Sequence, residues 1–187
     1  MTFLTDTADQ AVILPLMLAI AAILAARRWW RGLIAWVSCT LCVSAAMLVL
    51  KLFFTACGPS LGFSHIRTPS GHTAAAAVVY GGLLALGAGR LTASLIAAAL
   101  ALIIGITRVT LGMHTIEEVI IGALVGVAGA VALEYFAGTR PARLQGWTLA
   151  GVTLAVLLVF HGLHLHAEPV IRRTALLHLW PLSACHQ

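Results

Sequence analysis

A small set of ionisable and hydroxyl-bearing residues stands out in a chain of 187 residues that is 61% hydrophobic and only 9% charged. The set comprises Lys51, Ser70-Gly71-His72, Arg108, His114 and Glu118. Lysine and arginine neutralise phosphate oxygens, and arginine does so as a planar fork. A helix that begins after Ser70 adds free main-chain N–H groups and the positive end of its dipole. These residue types together predict a site that binds phosphate.

The two histidines of this set suit phosphoryl transfer. A neutral imidazole can attack phosphorus, and a protonated imidazole can give a proton to the departing alkoxide. A carboxylate four residues after His114 can hold that imidazole in the tautomer that exposes its attacking nitrogen. Glu118 has this spacing, and Glu117, at three residues, is the alternative. The pattern therefore predicts an enzyme in which one of the two histidines, His72 and His114, attacks phosphorus and the other donates the proton.

The elements that must position these residues are apolar helices. The mean hydropathy of the chain is +1.02, which lies far above the range of soluble domains. Apolar runs that approach or cross a hydrocarbon core of about 30 Å recur along nearly the whole sequence. There are six, at approximately 10–26, 33–54, 71–89, 92–107, 116–137 and 146–165. We therefore predict an all-α, integral membrane six-helix bundle.

This bundle is expected to form a single membrane domain over residues 1–187, with its catalytic core at about 51–137. Small residues let helices approach closely in lipid. The fifth predicted helix carries three of them, Gly122, Gly126 and Gly129. The first and sixth helices are expected to be peripheral, and the tail 166–187 is expected to lie in the outer interface.

The net charge of +5 is explained by topology and does not require a nucleic-acid partner. Six arginines fall at one end of the predicted helices, namely Arg27, Arg28, Arg31, Arg90, Arg140 and Arg143. The positive-inside rule makes that end cytoplasmic. We therefore predict a multi-pass protein of a bacterial inner membrane whose phosphate site and both termini lie outside. The expected partners are membrane lipids and a lipid substrate.

A second polar cluster lies at the outer end of the sixth predicted helix. It contains His161, His164, His166 and Glu168. A metal site is one interpretation, but histidines at a membrane surface without a clear fourth ligand are more often interfacial residues. We predict no metal and no cofactor for this protein.

The four cysteines fall into two groups. Cys39 and Cys42 lie in the middle of the second predicted helix, where they are expected to act as small packing residues. Cys57 and Cys185 are both expected outside the membrane. A disulfide between them, which would tie the tail over the site, is an open alternative.

The spacing of the phosphate-site residues resembles the type 2 phosphatidic acid phosphatase family, which shares its active-site pattern with vanadium-dependent haloperoxidases. That pattern is Lys, six residues, Arg-Pro; then Pro-Ser-Gly-His; then Ser-Arg, five residues, His, three residues, Asp. The corresponding segments here are Lys51, six residues, Gly58-Pro59; Pro69-Ser70-Gly71-His72; and Thr107-Arg108, five residues, His114, three residues, Glu118. The resemblance covers roughly residues 51 to 137.

The resemblance implies a role for each matched residue. His114 would be the nucleophile that forms a phosphohistidine, Glu118 would orient it, and His72 would be the general acid. The phosphate would be bound by Lys51, Ser70, Gly71 and Arg108. Water would then release inorganic phosphate without a metal, and the family's six-helix bundle agrees with the six apolar runs.

One departure from the family pattern bears on activity. Gly58 stands where the family has an arginine. Losing one charge-assisted contact to a transition-state oxygen costs on the order of 2–4 kcal/mol. Arg67, three residues before Ser70, is the candidate replacement for the missing cation.

The sequence therefore predicts a membrane lipid phosphatase that hydrolyses a lipid phosphate or diphosphate. Two alternatives stay open: a lipid phosphotransferase that uses the same site, and a non-catalytic lipid-binding or transport protein that kept the bundle. The sequence does not choose between carrier-lipid diphosphate, phosphatidic acid, phosphatidylglycerophosphate and a phosphorylated lipid A as the substrate.

Overall fold

The computed structural model describes residues 2–63, 65–86, 90–165, 167–175 and 177, and every regular element in these residues is helical. In this part of the chain eight helices follow one another: α1 Thr2–Asp6, α2 Gln10–Ala26, α3 Trp30–Cys57, α4 Gly71–Ala85, α5 Arg90–Thr110, α6 Ile116–Ala137, α7 Gly146–Phe160 and α8 Ala167–Thr174. The middle of α4, Ala76–Gly81, is a π-helix. The prediction of an all-α fold is confirmed.

Helices α2 to α7 coincide with the six apolar runs of the sequence. Two of them, α3 and α6, are long and apolar enough to cross a bilayer, with a mean hydropathy of 2.3 and 2.1 over their most apolar windows. The other four are shorter apolar helices. Helix α7 ends at Phe160, earlier than predicted, because the chain turns at Gly162 with a positive φ of 83°. The predicted end of α4, at residue 89, lies outside the described residues.

Helix α2 packs into the body of the bundle, so the expectation that it is peripheral is wrong. Leu16, Ile20 and Leu24 are fully buried along one of its faces. Trp36 of α3 is also fully buried, and its indole N–H donates to the carbonyl of Met17 on α2. Because α2 is apolar on nearly all sides, its sequence does not show which face is buried. Helix α7 has one buried residue in the described chain and is peripheral, as predicted.

The close packing of α6 depends on its glycines, as the sequence predicts. A Cβ at Gly122 would collide with the carbonyl oxygen of Ser70, and a Cβ at Gly126 would lie 2.5 Å from the carbonyl oxygen of Ala74. Both contacts are with the main chain of α4 or the residue before it, which cannot move aside as a flexible side chain can. The glycines therefore allow α6 to touch the start of α4, where the candidate site lies.

Candidate active site

The motif residues converge between the ends of four helices. Lys51 lies near the end of α3, and Ser70-Gly71 forms the start of α4. Arg108 is in the last turn of α5, His114 is in the following loop, and Glu118 is in the first turn of α6. The residues Lys51, Ser70 and Glu118 are buried, with exposed fractions of 7%, 0% and 3%. The structure thus brings together residues that are far apart in the sequence.

The imidazole of His114 is held by the carboxylate of Glu118. The Nδ1 atom of His114 lies 2.7 Å from Oε2 of Glu118. A carboxylate only accepts hydrogen bonds, so this contact places the proton of a neutral imidazole on Nδ1. The Nε2 atom then carries the free lone pair. This is the tautomer in which the imidazole can attack an electrophile through Nε2.

The carboxylate of Glu118 is also fixed by main-chain donors. Its Oε1 accepts from the N–H groups of Arg67 at 2.6 Å and Thr68 at 2.9 Å, and its Oε2 accepts from the N–H of Thr115 at 3.2 Å. Thr115 in turn accepts from the N–H of Glu118 at 3.4 Å, which completes a capping box at the start of α6. A capping box calls for Glu or Gln at this position, and this explains how Glu serves where the family pattern has Asp.

Burial lowers the pKa of His114, and this effect outweighs the opposite influence of Glu118. The charges of Arg108 and Lys51 lower the pKa of His114 further. The side chain of His114 is only 7% exposed. These surroundings favour the neutral imidazole, which is the nucleophilic form. Both cations therefore lie close enough for their charges to act on the same imidazole.

Lys51 lies beside the start of α4. A Cβ at Gly71 would lie 3.5 Å from Cε and 3.9 Å from Nζ of Lys51. The lysine ammonium and the first N–H groups of α4 therefore present positive charge to the same small volume. That combination fits the binding of an anion.

Ser70 occupies the N-cap position of α4, but its side chain makes no capping hydrogen bond. Its hydroxyl oxygen instead accepts from the hydroxyl of Thr73 at 2.9 Å, and its N–H donates to the carbonyl of Glu118 at 2.9 Å. Because Thr73 supplies a proton to the Ser70 oxygen, the proton of Ser70 is left to be donated elsewhere. A phosphate oxygen at the start of α4 is a suitable acceptor.

His72 has an acidic partner that the sequence analysis missed. The Nε2 atom of His72 lies 3.7 Å from Oδ2 of Asp9, which is the N-cap residue of α2. Asp9 is 6% exposed, and the side chain of His72 is 24% exposed. The only sequence signal was an acidic residue at the outer end of an apolar helix, which is also what an ordinary helix cap looks like.

The other residues related to the family pattern make contacts of their own. Arg108 donates from Nη1 to the hydroxyl oxygen of Thr5 at 3.3 Å. The hydroxyl of Thr107, which stands in place of Ser, donates to the carbonyl of Ile104 within α5 at 2.7 Å. The side chain of Arg67 is exposed, and its main-chain N–H is committed to Glu118. The replacement of the missing cation by Arg67 therefore stays a prediction.

Gly58 follows the last residue of α3 with helical dihedral angles. A Cβ at this position would collide with the carbonyl oxygen of Phe54. An arginine here would require the main chain at the end of α3 to shift. The main chain at the end of α3 is thus compatible with glycine at position 58, and Gly58→Arg alone would not restore the arginine of the family pattern without moving that main chain.

Two histidines of the second polar cluster contact the N-terminal segment. His164 lies 3.1 Å from the carboxylate of Asp6, which raises the pKa of His164. The ring of His161 packs on Phe3 at a centroid distance of 4.2 Å. Within the described residues there is no group of three or more side chains that could hold a metal. His166 and the side chain of Glu168 lie outside this description, as does most of the predicted interfacial tail 166–187.

The cysteines differ in state. Cys57 is disulfide-bonded, whereas Cys39 and Cys42 carry free thiols. Cys185, the partner that the sequence analysis considered for Cys57, lies outside the described residues.

A comparison with known families agrees with this geometry. Residues 51–142 match the PAP2 superfamily. The matched region begins at Lys51 and contains α4, α5 and α6, which carry the rest of the candidate site. No curated protein and no solved structure matches the chain. Members of the superfamily are phosphatases, which supports a hydrolase role. As the three-part motif predicted, residues 51–142 of the chain belong to the PAP2 superfamily, that of the type 2 phosphatidic acid phosphatases.

Proposed function

We propose that this protein is a membrane lipid phosphatase that hydrolyses a lipid phosphate or diphosphate through a phosphohistidine intermediate. The observation that carries the proposal is the buried pair of His114 and Glu118, with Nδ1 and Oε2 2.7 Å apart. The charges of two cations, Lys51 and Arg108, act on His114. A nucleophile, its orienting carboxylate and the charges that neutralise a phosphate thus share one small volume.

In the first step, Nε2 of His114 attacks phosphorus and forms a P–N bond while the bond from phosphorus to the lipid oxygen breaks. His72 donates a proton to the departing lipid oxygen, so the product leaves as an alcohol or as a lipid monophosphate. Lys51, Arg108 and the N–H groups at the start of α4 neutralise the charge on the phosphoryl oxygens. The Nδ1 proton of His114 stays on the Glu118 side, where the carboxylate stabilises the charged, phosphorylated imidazole.

In the second step, water attacks phosphorus and the P–N bond breaks. The neutral His72 takes a proton from that water, and inorganic phosphate is released. His72 is then protonated and His114 is neutral, so both histidines have returned to their starting states. As the family resemblance implies, no metal takes part.

An apolar cavity supports a lipid as the substrate. A cavity of about 100 Å³ begins at Lys51 and Gly71 and continues between α2, α3, α4 and α8. Beyond Lys51 it is lined mainly by aliphatic residues, among them Met47, Val78 and Ile171. A phosphate held at the start of α4 therefore has an apolar path next to it, which suits a hydrocarbon chain.

The distribution of arginines supports the proposed membrane topology. At the end of the bundle away from the site, Arg27 donates to the carbonyl of Arg143 at 2.8 Å and Arg143 donates to the carbonyl of Arg28 at 3.1 Å. Arg31 donates to the carbonyl of Phe136 at 2.8 Å. This cluster fits a cytoplasmic surface under the positive-inside rule. We propose a multi-pass inner-membrane protein with its site on the outer side.

The test is phosphate release by purified protein in detergent from a panel of lipid phosphates and diphosphates, with EDTA present. His114→Ala is the variant, and His65→Ala, which removes an exposed histidine outside the site, is its matched control. We expect the wild type and His65→Ala to release phosphate at similar rates and His114→Ala to release none. A phosphorylated acceptor lipid in place of inorganic phosphate would indicate a phosphotransferase. Folded protein without turnover of any lipid would favour the non-catalytic binding role that Gly58 raises.

A further inference from the structure

The N-terminal segment, residues 2–9, packs on the candidate active site although it lies outside the region that matches the superfamily. Thr5 and Ala8 are buried, with exposed fractions of 5% and 1%. The hydroxyl of Tyr80 donates to the carbonyl of Thr7 at 2.6 Å, and Arg108 donates to the hydroxyl oxygen of Thr5 at 3.3 Å. Residues of α4 and α5 thus hold this segment against the site.

Asp9 lies at the end of this segment and uses its two carboxylate oxygens differently. Its Oδ1 accepts from the N–H of Ala11 at 2.9 Å, which caps α2, and from the N–H of Leu165 at 3.1 Å. Its Oδ2 is directed to His72, with 3.7 Å between Oδ2 and Nε2. One oxygen therefore serves the structure of the segment, and the other faces the proposed general acid.

Asp9 remains charged although it is buried. Burial raises the pKa of Asp9, but the contact with His72 and the hydrogen bonds from the N–H groups of Ala11 and Leu165 lower it to about 2. A buried carboxylate is stable only where it is paired and hydrogen-bonded. Capping of α2 occupies only one oxygen, so a neutral cap would serve α2 as well. The negative charge of Asp9 is explained by its contact with His72, which carries a positive charge when it is protonated.

We infer that Asp9 is a positioning residue for the general acid His72: its Oδ2 orients the imidazole and stabilises the imidazolium that protonates the leaving lipid oxygen. This inference rests on the proposed function. With Nε2–H directed at Asp9, the proton on Nδ1 is the one that moves to the lipid oxygen as the P–O bond breaks. His72 is then neutral and regains its proton from the water of the second step. Such contacts are often long before substrate binds and shorten in the complex.

A pair of substrates with different leaving groups distinguishes this role from a structural one. A short-chain phosphatidic acid loses an aliphatic alkoxide, which needs a proton as it departs. 4-Nitrophenyl phosphate loses a phenolate that is stable without one. Loss of general-acid function therefore slows formation of the phosphohistidine from phosphatidic acid far more than from 4-nitrophenyl phosphate, whereas a damaged site slows both. This first step is measured by kcat/KM, because release of phosphate from the phosphohistidine is common to the two substrates.

The test variant is Asp9→Asn, because Asn caps helices as well as Asp does while removing the charge. Asp6→Asn is the matched control: it makes the same change in the same segment, but Asp6 contacts His164 and not His72. We expect Asp9→Asn to lower kcat/KM for the phosphatidic acid on the order of 10²-fold and to change kcat/KM for 4-nitrophenyl phosphate less than about 3-fold. We expect Asp6→Asn to resemble the wild type with both substrates.

An equal loss with both substrates, or no loss with either, would overturn the inference while leaving the proposed function intact. Asp9→Ser, which also keeps a capping oxygen, repeats the measurement if Asp9→Asn does not fold. A wild-type protein that releases no phosphate from these two substrates or from any lipid phosphate or diphosphate of the panel would refute the proposed function, and the inference with it. The thermal unfolding of each variant is measured alongside, so that a loss of folded protein is not mistaken for a loss of catalysis.

Discussion

The substitution Glu118→Gln tests the proposed nucleophile most directly. It keeps the size of the side chain but replaces one acceptor oxygen with an NH₂ donor. In the wild type, Oε1 accepts from the N–H groups of Arg67 and Thr68, and Oε2 accepts from His114 and from the N–H of Thr115. All four partners are donors, so no orientation of the amide satisfies them all.

The amide has two orientations, and both are unfavourable. With its oxygen towards Arg67 and Thr68, its NH₂ group faces Nδ1 of His114 and favours the tautomer that carries the proton on Nε2. The lone pair needed for attack on phosphorus is then lost. With the amide reversed, the NH₂ group faces the two loop N–H groups, and two buried donors lose their acceptor. Each such loss costs about 1–3 kcal/mol of stability.

The first orientation keeps more hydrogen bonds, so we expect Glu118→Gln to fold with the wrong tautomer of His114. Reversal of the tautomer in a His–Asp pair of an unrelated hydrolase lowers kcat about 10⁴-fold. We expect a loss of about 10³- to 10⁴-fold in kcat here. The assay is phosphate release from the best lipid substrate, together with trapping of the phosphohistidine by an alkaline denaturing quench; the variant should not accumulate this intermediate.

Glu117→Gln is the matched control, because it makes the same change one residue away on an exposed side chain. Its kcat should stay within about twofold of the wild type, as is usual for surface substitutions. Folded Glu118→Gln protein with a kcat within about tenfold of the wild type would refute the tautomer argument. Equal losses in both variants would point to a general effect of negative charge at the start of α6.

Three further predictions concern packing, pH and phosphate binding. Gly122→Ala should lower the free energy of unfolding by about 1–3 kcal/mol, because its Cβ collides with the carbonyl of Ser70; Gly151→Ala, in open space on α7, is the control in detergent unfolding. On the acid side, activity should be lost as pH falls below about 6.5, because the pKa of His114 is lowered and protonation removes its lone pair; an acid-side midpoint of kcat/KM above pH 7 would contradict this. Ser70→Ala should lower kcat about tenfold or more, since it removes one donor to the transition state; unchanged kcat would exclude Ser70 from phosphate binding.

The local features of the site were accessible from sequence. The spacing of His114 and Glu118 predicts their contact, and the contact is present. Its cause differs from the predicted one: His114 precedes the N-cap Thr115, and the capping box, in which Glu118 reaches back over the helix start, brings the two side chains together. The apolar runs predict the helices because long segments of this kind satisfy their main-chain polar groups internally. The glycines of α6 predict close packing for the same local reason, since a residue without Cβ admits a neighbouring main chain.

The partnership of Asp9 and His72 was not accessible in the same way. The two residues belong to helices that no motif links, and α2 is apolar on nearly all sides, so neither its buried face nor its position could be deduced. The contact of Arg67 was equally inaccessible from the sequence. Its main-chain N–H donates to Glu118, whereas the sequence suggested a role for its guanidinium.

The sequence by itself determined the helices, the three parts of the motif and the pairing of nucleophile with carboxylate, because each depends on neighbours within a few residues along the chain. Only the tertiary structure decided that the N-terminal segment packs against the site. There, Oδ2 of Asp9 lies 3.7 Å from Nε2 of His72, and the hydroxyl of Thr5 accepts a hydrogen bond from Arg108. These contacts follow from the burial of Leu16, Ile20 and Leu24, which fixes α2 against the bundle and brings its acidic cap to the proposed general acid.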